Sequence, residues 1–173
     1  MPRGGSGVSL LGAFLLLLLA AGACFAADFR LNRILDGDTF EVVTGNGERI
    51  FVHLAGIDAP EMPMRKSEKG QPFCRKARSM LMELLLDKQF SFQAQSRLVK
   101  GNVLAVVYAE GKNVNMEMIR AGLAEVYRGE LPSGFDVEPY KKEETVAQKQ
   151  EVGMWALGAV YISPHEWRKA NTR

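Results

Sequence analysis

The sequence predicts an α+β fold that is mostly β: a five-stranded Greek-key barrel with three flanking α-helices. Three observations carry this. Three consecutive runs near the start, Phe29–Leu35, Thr39–Thr44 and Arg49–Ile57, are strand-like, the first two alternating apolar and polar residues and the third more apolar. One apolar stripe at helical spacing follows. Two more strand-like runs come next, and helical segments close the chain.

Each element has its own signal. Asp36-Gly37-Asp38 punctuates the first two runs, and Gly45-Asn46-Gly47-Glu48 reads as a hairpin turn between the second and third. Together they form a meander. Pro72 suits a first helical position, and Phe73, Ala77, Met80, Leu81, Leu84 and Leu85 then share one face. The runs Gln89–Gln95 and Val103–Ala109 are the fourth and fifth strands. A short helix in VNMEMIRAGLA ends near Gly122. The last helix runs from about Val137 to Val152, with Asp136 as its cap and Gly153 as its stop. Strands, helix, strands, helices is the order of a small barrel of the OB type.

Residues 1–27 lie outside this pattern. Arg3 gives a positive start, Leu10–Ala20 is almost wholly apolar, and small residues follow, the three-part layout of a signal peptide cut near Ala26. An uncleaved anchor and lipidation at Cys24 are the alternatives. The expectation is an exported protein, periplasmic or extracellular, with residues 28–173 as one domain that needs no membrane once the leader is removed. It is expected to act as a monomer. Without the leader, 21 Lys and Arg face 20 Asp and Glu, so net charge alone does not argue for a polyanionic partner. Cys74 is then the last cysteine, which excludes an intramolecular disulfide.

The chemistry concentrates in acids. Asp38 opens the second strand, with Asp36 beside it, and Asp58 and Glu61 lie at the end of the third run in HLAGIDAPE. In a meander the end of strand three can lie close to the start of strand two. Asp38 and Asp58 would then converge as a hard-oxygen site suited to Ca²⁺. No Cys/His cluster suggests zinc. The other reading is that each acid only caps a turn.

RILDGDTFEV followed by HLAGIDAPE resembles the staphylococcal nuclease family, and the likeness continues through GKNVNMEMIRAGLAEV, AQKQEVGMW and PHEWRK. It covers about Phe29–Arg168. The resemblance implies an OB-type barrel and Ca²⁺-dependent hydrolysis of phosphodiesters in DNA and RNA, with single-stranded nucleic acid as substrate or ligand. It implies one Ca²⁺ ion on Asp38, Asp58 and the backbone carbonyl of Ala59, where family members usually carry threonine. It further implies that Glu61 orients or deprotonates the attacking water and that Asp36 supports Asp38.

The chain also departs from that family. Its members place arginines on the phosphate at the positions of His53 and Asn102 here, and stacking tyrosines where Lys100, Arg128 and Glu130 stand. Histidine and asparagine lack the permanent charge and paired donors of a guanidinium. Arg97, Lys100 and Arg128 form either a candidate substitute basic patch or solvated surface charge, with Tyr127 one position out of register. An active nuclease would rebuild its phosphate clamp from His53, Lys100 and Arg128. A degenerate binding module of the same fold is therefore the alternative to an active nuclease. Strict alternation puts residues 53 and 58 on opposite faces, so both reach one site only if the strand bends, and Gly56 is where it can.

Overall fold

A computed structural model describes residues 29–65, 67–96 and 99–171. The expected signal peptide, Cys24 and Arg97 lie outside these residues. No helix among the described residues is long and apolar enough to cross a membrane.

The meander forms as the alternation dictates. β1 (Phe29–Ile34), β2 (Thr39–Thr44) and β3 (Arg49–Leu54) pair antiparallel in order. At the Gly45–Glu48 turn, Gly47 N–H donates to the Thr44 carbonyl at 2.9 Å. The third run does not continue straight to Ile57. It breaks at Ala55–Gly56 and resumes as β4 (Ile57–Asp58), which leaves the main sheet and pairs with β8 (Glu125–Val126). β5 (Phe90–Ala94) and β6 (Asn102–Ala109) complete the sheet, with β7 (Lys112–Asn113) appended to β6. The order is β1-β2-β3-β6-β5, and β3 runs parallel to β6.

This curled sheet is an OB-type half-barrel. Rings close its seam: Phe29 on β1 packs tilted against Phe90 and Phe92 on β5, with centroids 5.3 and 4.8 Å apart. Phe40, Val42, Val52, Leu54, Val103 and Val107 fill the interior, each nearly or wholly buried. Burial of each such side chain stabilises the fold by about 1.5–3 kcal/mol.

α1 spans Cys74–Leu85 and caps one end of the barrel with Ala77, Leu81 and Leu85. It begins two residues later than Pro72 suggests. Phe73 has φ 70° in a turn where Cys74 N–H donates to the Gln71 carbonyl, so helical geometry starts only after it. α2 is Val114–Arg120, and α3 is Glu138–Lys149. Asp136 receives the Glu138 amide at 3.1 Å, but it lies one residue before the cap position, which Val137 occupies without a side-chain bond.

A kinked 3₁₀ segment, Gly153–Val160, leads to a fourth helix, α4 (Pro164–Asn171), so three helices were one too few. Its sequence signal is Ser163-Pro164-His165-Glu166, a capping box whose Ser163 Oγ accepts from Glu166 N–H at 3.1 Å. The ends of α2 and α3 meet backbone to backbone. Gly122 and Gly153 have φ 61° and 59°, and a Cβ on Gly153 would lie 2.2 Å from the Gly122 carbonyl oxygen. Only glycine fits both the angle and the approach.

Candidate active site

The acids are positioned by backbone. Asp36 Oδ1 accepts from Asp38 N–H at 3.0 Å, an Asx turn that fixes the loop between β1 and β2. Gly37 lets this loop lie against α1 and Ala59, since a Cβ there would come within 2.6 Å of Ala77 Cβ and 2.7 Å of Ala59 Cβ. Asp38 then bridges to the next strand pair. Its carbonyl accepts from Leu54 N–H at 2.8 Å, and its Oδ2 accepts from Ala59 N–H at 2.8 Å.

The bend at Ala55–Gly56 brings Asp58 round. Gly56 has φ 79°, and a Cβ there would lie 2.5 Å from the Phe135 ring. Asn115, fully buried on α2, holds the bend. Its Nδ2 donates to the Ala55 carbonyl at 2.9 Å and the Ala105 carbonyl at 3.1 Å, and its Oδ1 accepts from Val107 N–H at 3.0 Å. The sequence showed only an ordinary residue in a short helix.

Glu61 follows β4. Its N–H donates to Gln71 Oε1 at 3.0 Å, while Gln71 N–H returns to the Glu61 carbonyl at 2.9 Å. Gln71 Nε2 also donates to the Ile162 carbonyl at 2.8 Å, just before α4. Gln71 thus ties Glu61 to the C-terminal segment.

The carboxyls crowd one another. Burial, then the Asp36 carboxylate, push Asp38 well above the usual range. Burial also raises Glu61, and the charges of Asp36 and Asp58 add to it against the opposing Arg168. Glu125 stands opposite Asp58 across the β4–β8 pair and takes the Tyr161 hydroxyl at 2.5 Å.

Arg168, on α4, is the cation in this cleft that sequence reasoning missed. Its Nη1 and Nη2 donate to Asp58 Oδ1 and Oδ2 at 2.8 and 2.7 Å, and Nη1 also reaches Glu61 Oε1 at 2.5 Å. The fork is bidentate, the geometry guanidinium groups favour for oxyanions.

The two positions where arginines were expected carry a histidine and an asparagine that bond to each other. His53 Nε2 lies 2.9 Å from Asn102 Oδ1, and Asn102 Nδ2 donates to the Lys100 carbonyl at 3.1 Å. His53 Nδ1 lies 3.1 Å from the Thr39 hydroxyl, which donates to Asp38 Oδ1 at 2.8 Å. His53 therefore reaches the acids through Thr39. Lys100 is exposed in a turn at φ 48°. Tyr127 is partly exposed, 39%. Arg128 Nη2 donates to both Glu144 carboxylate oxygens, at 2.8 and 2.7 Å.

Asp38, Asp58 and the Ala59 carbonyl are all-oxygen donors of the kind a hard divalent cation takes. As they lie, the described residues contain no group of three Asp, Glu, His or Cys side chains set to hold a metal. Both Asp58 oxygens face Arg168, and Asp38 Oδ2 faces an amide. Burial lifts Asp38 and Glu61 first, and the carboxylate repulsion that adds to it is what added positive charge relieves. The donor set therefore fits such an ion, with Arg168 giving way at Asp58.

Fold and cleft together define the class: an OB-type barrel whose acids gather between the β1–β2 loop and the end of β4. The chain belongs to the staphylococcal nuclease homologue family, whose model matches residues 51–157. It is 32% identical over 163 residues to an uncharacterized endonuclease of Haemophilus influenzae, covering 92% of this chain and 84% of that protein. It is 35% identical over 158 residues to a micrococcal nuclease of Shigella flexneri, covering 84% and 83%. An uncharacterized endonuclease of Escherichia coli is 34% identical over 157 residues, 89% and 94%.

Proposed function

We propose that the protein is an exported, Ca²⁺-dependent nuclease that hydrolyses phosphodiester bonds of single-stranded DNA or RNA, acting as a monomer with one ion. The observation that carries this reading is the meeting of Asp58 and Glu61 on one guanidinium, at 2.8 and 2.5 Å, with Asp38 tied to neighbouring Ala59. The names of the relatives, endonuclease and micrococcal nuclease, support it. The apolar N-terminal stretch supports export.

Asp38, Asp58 and the Ala59 carbonyl would hold the ion, with Asp36 supporting Asp38 through its amide. When bound, Ca²⁺ supplies polarisation of a phosphate oxygen and placement of the substrate. Glu61 acts as general base, taking a proton from water at its carboxylate. Its raised affinity for protons suits that role. Gln71 fixes the Glu61 backbone, and Asn115 fixes the bend that presents Asp58.

A second reading is favoured by one observation: His53 and Asn102 are hydrogen-bonded to each other rather than offering charge to a phosphate. On that reading the protein binds nucleic acid without cutting it. A zymogram separates the two. Purified protein is incubated with single-stranded DNA or RNA, with Ca²⁺ or chelator, beside Glu61→Gln. Ca²⁺-dependent cleavage above that variant supports the nuclease. Cleavage equal to it leaves the binding module.

A further inference from the structure

The positions where the resemblance places phosphate-binding arginines carry His53 and Asn102, yet among the described residues the cleft contains Arg168. Arg168 enters from α4, 110 residues beyond Asp58, and is placed by two independent supports. Gln71 links the Glu61 backbone to the Ile162 carbonyl just ahead of the helix. Met154 N–H donates to the Gly122 carbonyl at 2.8 Å, where the Gly122–Gly153 contact fixes the start of the 3₁₀ segment. The guanidinium side chain remains 38% exposed, so solvent and ligands reach it.

A guanidinium fork that fits a carboxylate also fits a phosphodiester, because both present two coplanar acceptor oxygens. Two carboxylates and one guanidinium leave the cleft negative. With a divalent cation at Asp58 that balance would reverse, and the Arg168 guanidinium beside it would be repelled. An arriving phosphodiester then supplies the oxyanion that Asp58 no longer offers. His53 and Asn102, engaged with each other and with Thr39 and Lys100, bring no permanent charge to compete for it.

We infer that Arg168 is the phosphate-binding guanidinium of this protein: it rests on Asp58 and Glu61 without metal, releases Asp58 to the cation, and binds the phosphodiester of a single-stranded polynucleotide. This rests on the nuclease reading for its substrate class. It makes Arg168 a competitor of the metal and a partner of the nucleic acid, two effects of opposite sign.

The test measures binding apart from turnover. Ca²⁺ is titrated calorimetrically into the wild type, Arg168→Ala and Arg168→Lys. A short single-stranded phosphorothioate oligonucleotide is then titrated by fluorescence anisotropy in saturating Ca²⁺ across a salt series. The inference expects Arg168→Ala to bind Ca²⁺ more tightly by about tenfold, within the usual range for coupled sites. The oligonucleotide is expected to bind about tenfold more weakly, with a salt slope smaller by about 0.7. Arg168→Lys keeps the charge and the salt slope but loses the fork, and falls between the two in affinity. Circular dichroism melts check folding, and if Arg168→Ala does not fold, Arg168→Lys alone decides. Unchanged or weakened Ca²⁺ binding overturns the inference, as does unchanged oligonucleotide binding. Opposite shifts in a wild type that cuts nothing uphold Arg168 and sink only the nuclease reading.

Discussion

The acid side of the cleft and the side proposed to take phosphate are built differently. Asp36 and Asp38 stand in the β1–β2 turn and each accepts a nearby backbone amide, while Asp58 lies on β4 past the bend and the Glu61 amide just after it donates to Gln71. On the other side, His53 and Asn102 face each other from β3 and β6 as a hydrogen-bonded pair. The cation comes from α4, at the far end of the sequence. Metal ligation needs several oxygens at fixed spacing, which neighbouring strands supply. A phosphate clamp needs only charge and a planar fork, which any element within reach of the cleft can deliver.

The comparison breaks first at Glu61. Glu61→Gln should lower kcat about 10²–10⁴-fold while Ca²⁺ still binds, as single-turnover assays and calorimetry would show. If metal binding also disappears, Glu61 belongs among the ligands and the acid side has been divided wrongly.

Asn115→Leu tests whether the bend is what unites the two sides. It orphans the Val107 N–H and removes a donor from the Ala55 carbonyl, at about 1–3 kcal/mol for each unsatisfied group. Urea denaturation should register the loss, and surviving folded protein should bind Ca²⁺ poorly.

Rebuilding the phosphate side sharpens the contrast. His53→Arg with Asn102→Arg should raise cleavage by about 10²–10³ in an Arg168→Ala background, the usual worth of one preorganised donor. The same pair in the wild type should gain less, because Arg168 already supplies charge.

The smallest effect is a control outside both sides. Glu143 is held below the ordinary glutamate range, chiefly by its hydrogen bond from Arg120 at 2.7 Å. A lowered carboxylate stabilises the fold above its unfolded value, and that gain disappears as pH falls through the folded one. Glu143→Gln should therefore cost about 0.2–1 kcal/mol at neutral pH and nothing in strong acid, with cleavage unchanged.

The acids were legible in the sequence because their signals are local. Asp-Gly-Asp-Thr and Ile-Asp-Ala-Pro-Glu each span a few residues, and strand periodicity brings them together. The turn at Gly56 was legible as a possibility, since glycine is where a strand bends, but not the residues that hold it. Asn115 makes its bonds to Ala55, Ala105 and Val107, and nothing in a helical pattern marks which polar residue points inward. Gln71 lay in a Gly-Gln-Pro loop with no periodicity to read. Arg168 was hidden by distance along the chain: a guanidinium pairs with whatever the fold brings near, and spacing carries no trace of it. The capping box at Ser163 was the one local sign that the tail was a helix.

The paired glycines where α2 and α3 end have a consequence for how this protein tolerates change. Two bare backbones touch there, so no neighbouring substitution can fill or relax the contact. A saturation scan across residues 119–156, scored by stability, should show broad permissiveness on the exposed faces, broken by intolerance at positions 122 and 153. Drift in the surrounding helix faces would leave the far arginine in place, while one added methyl group at either glycine would move it.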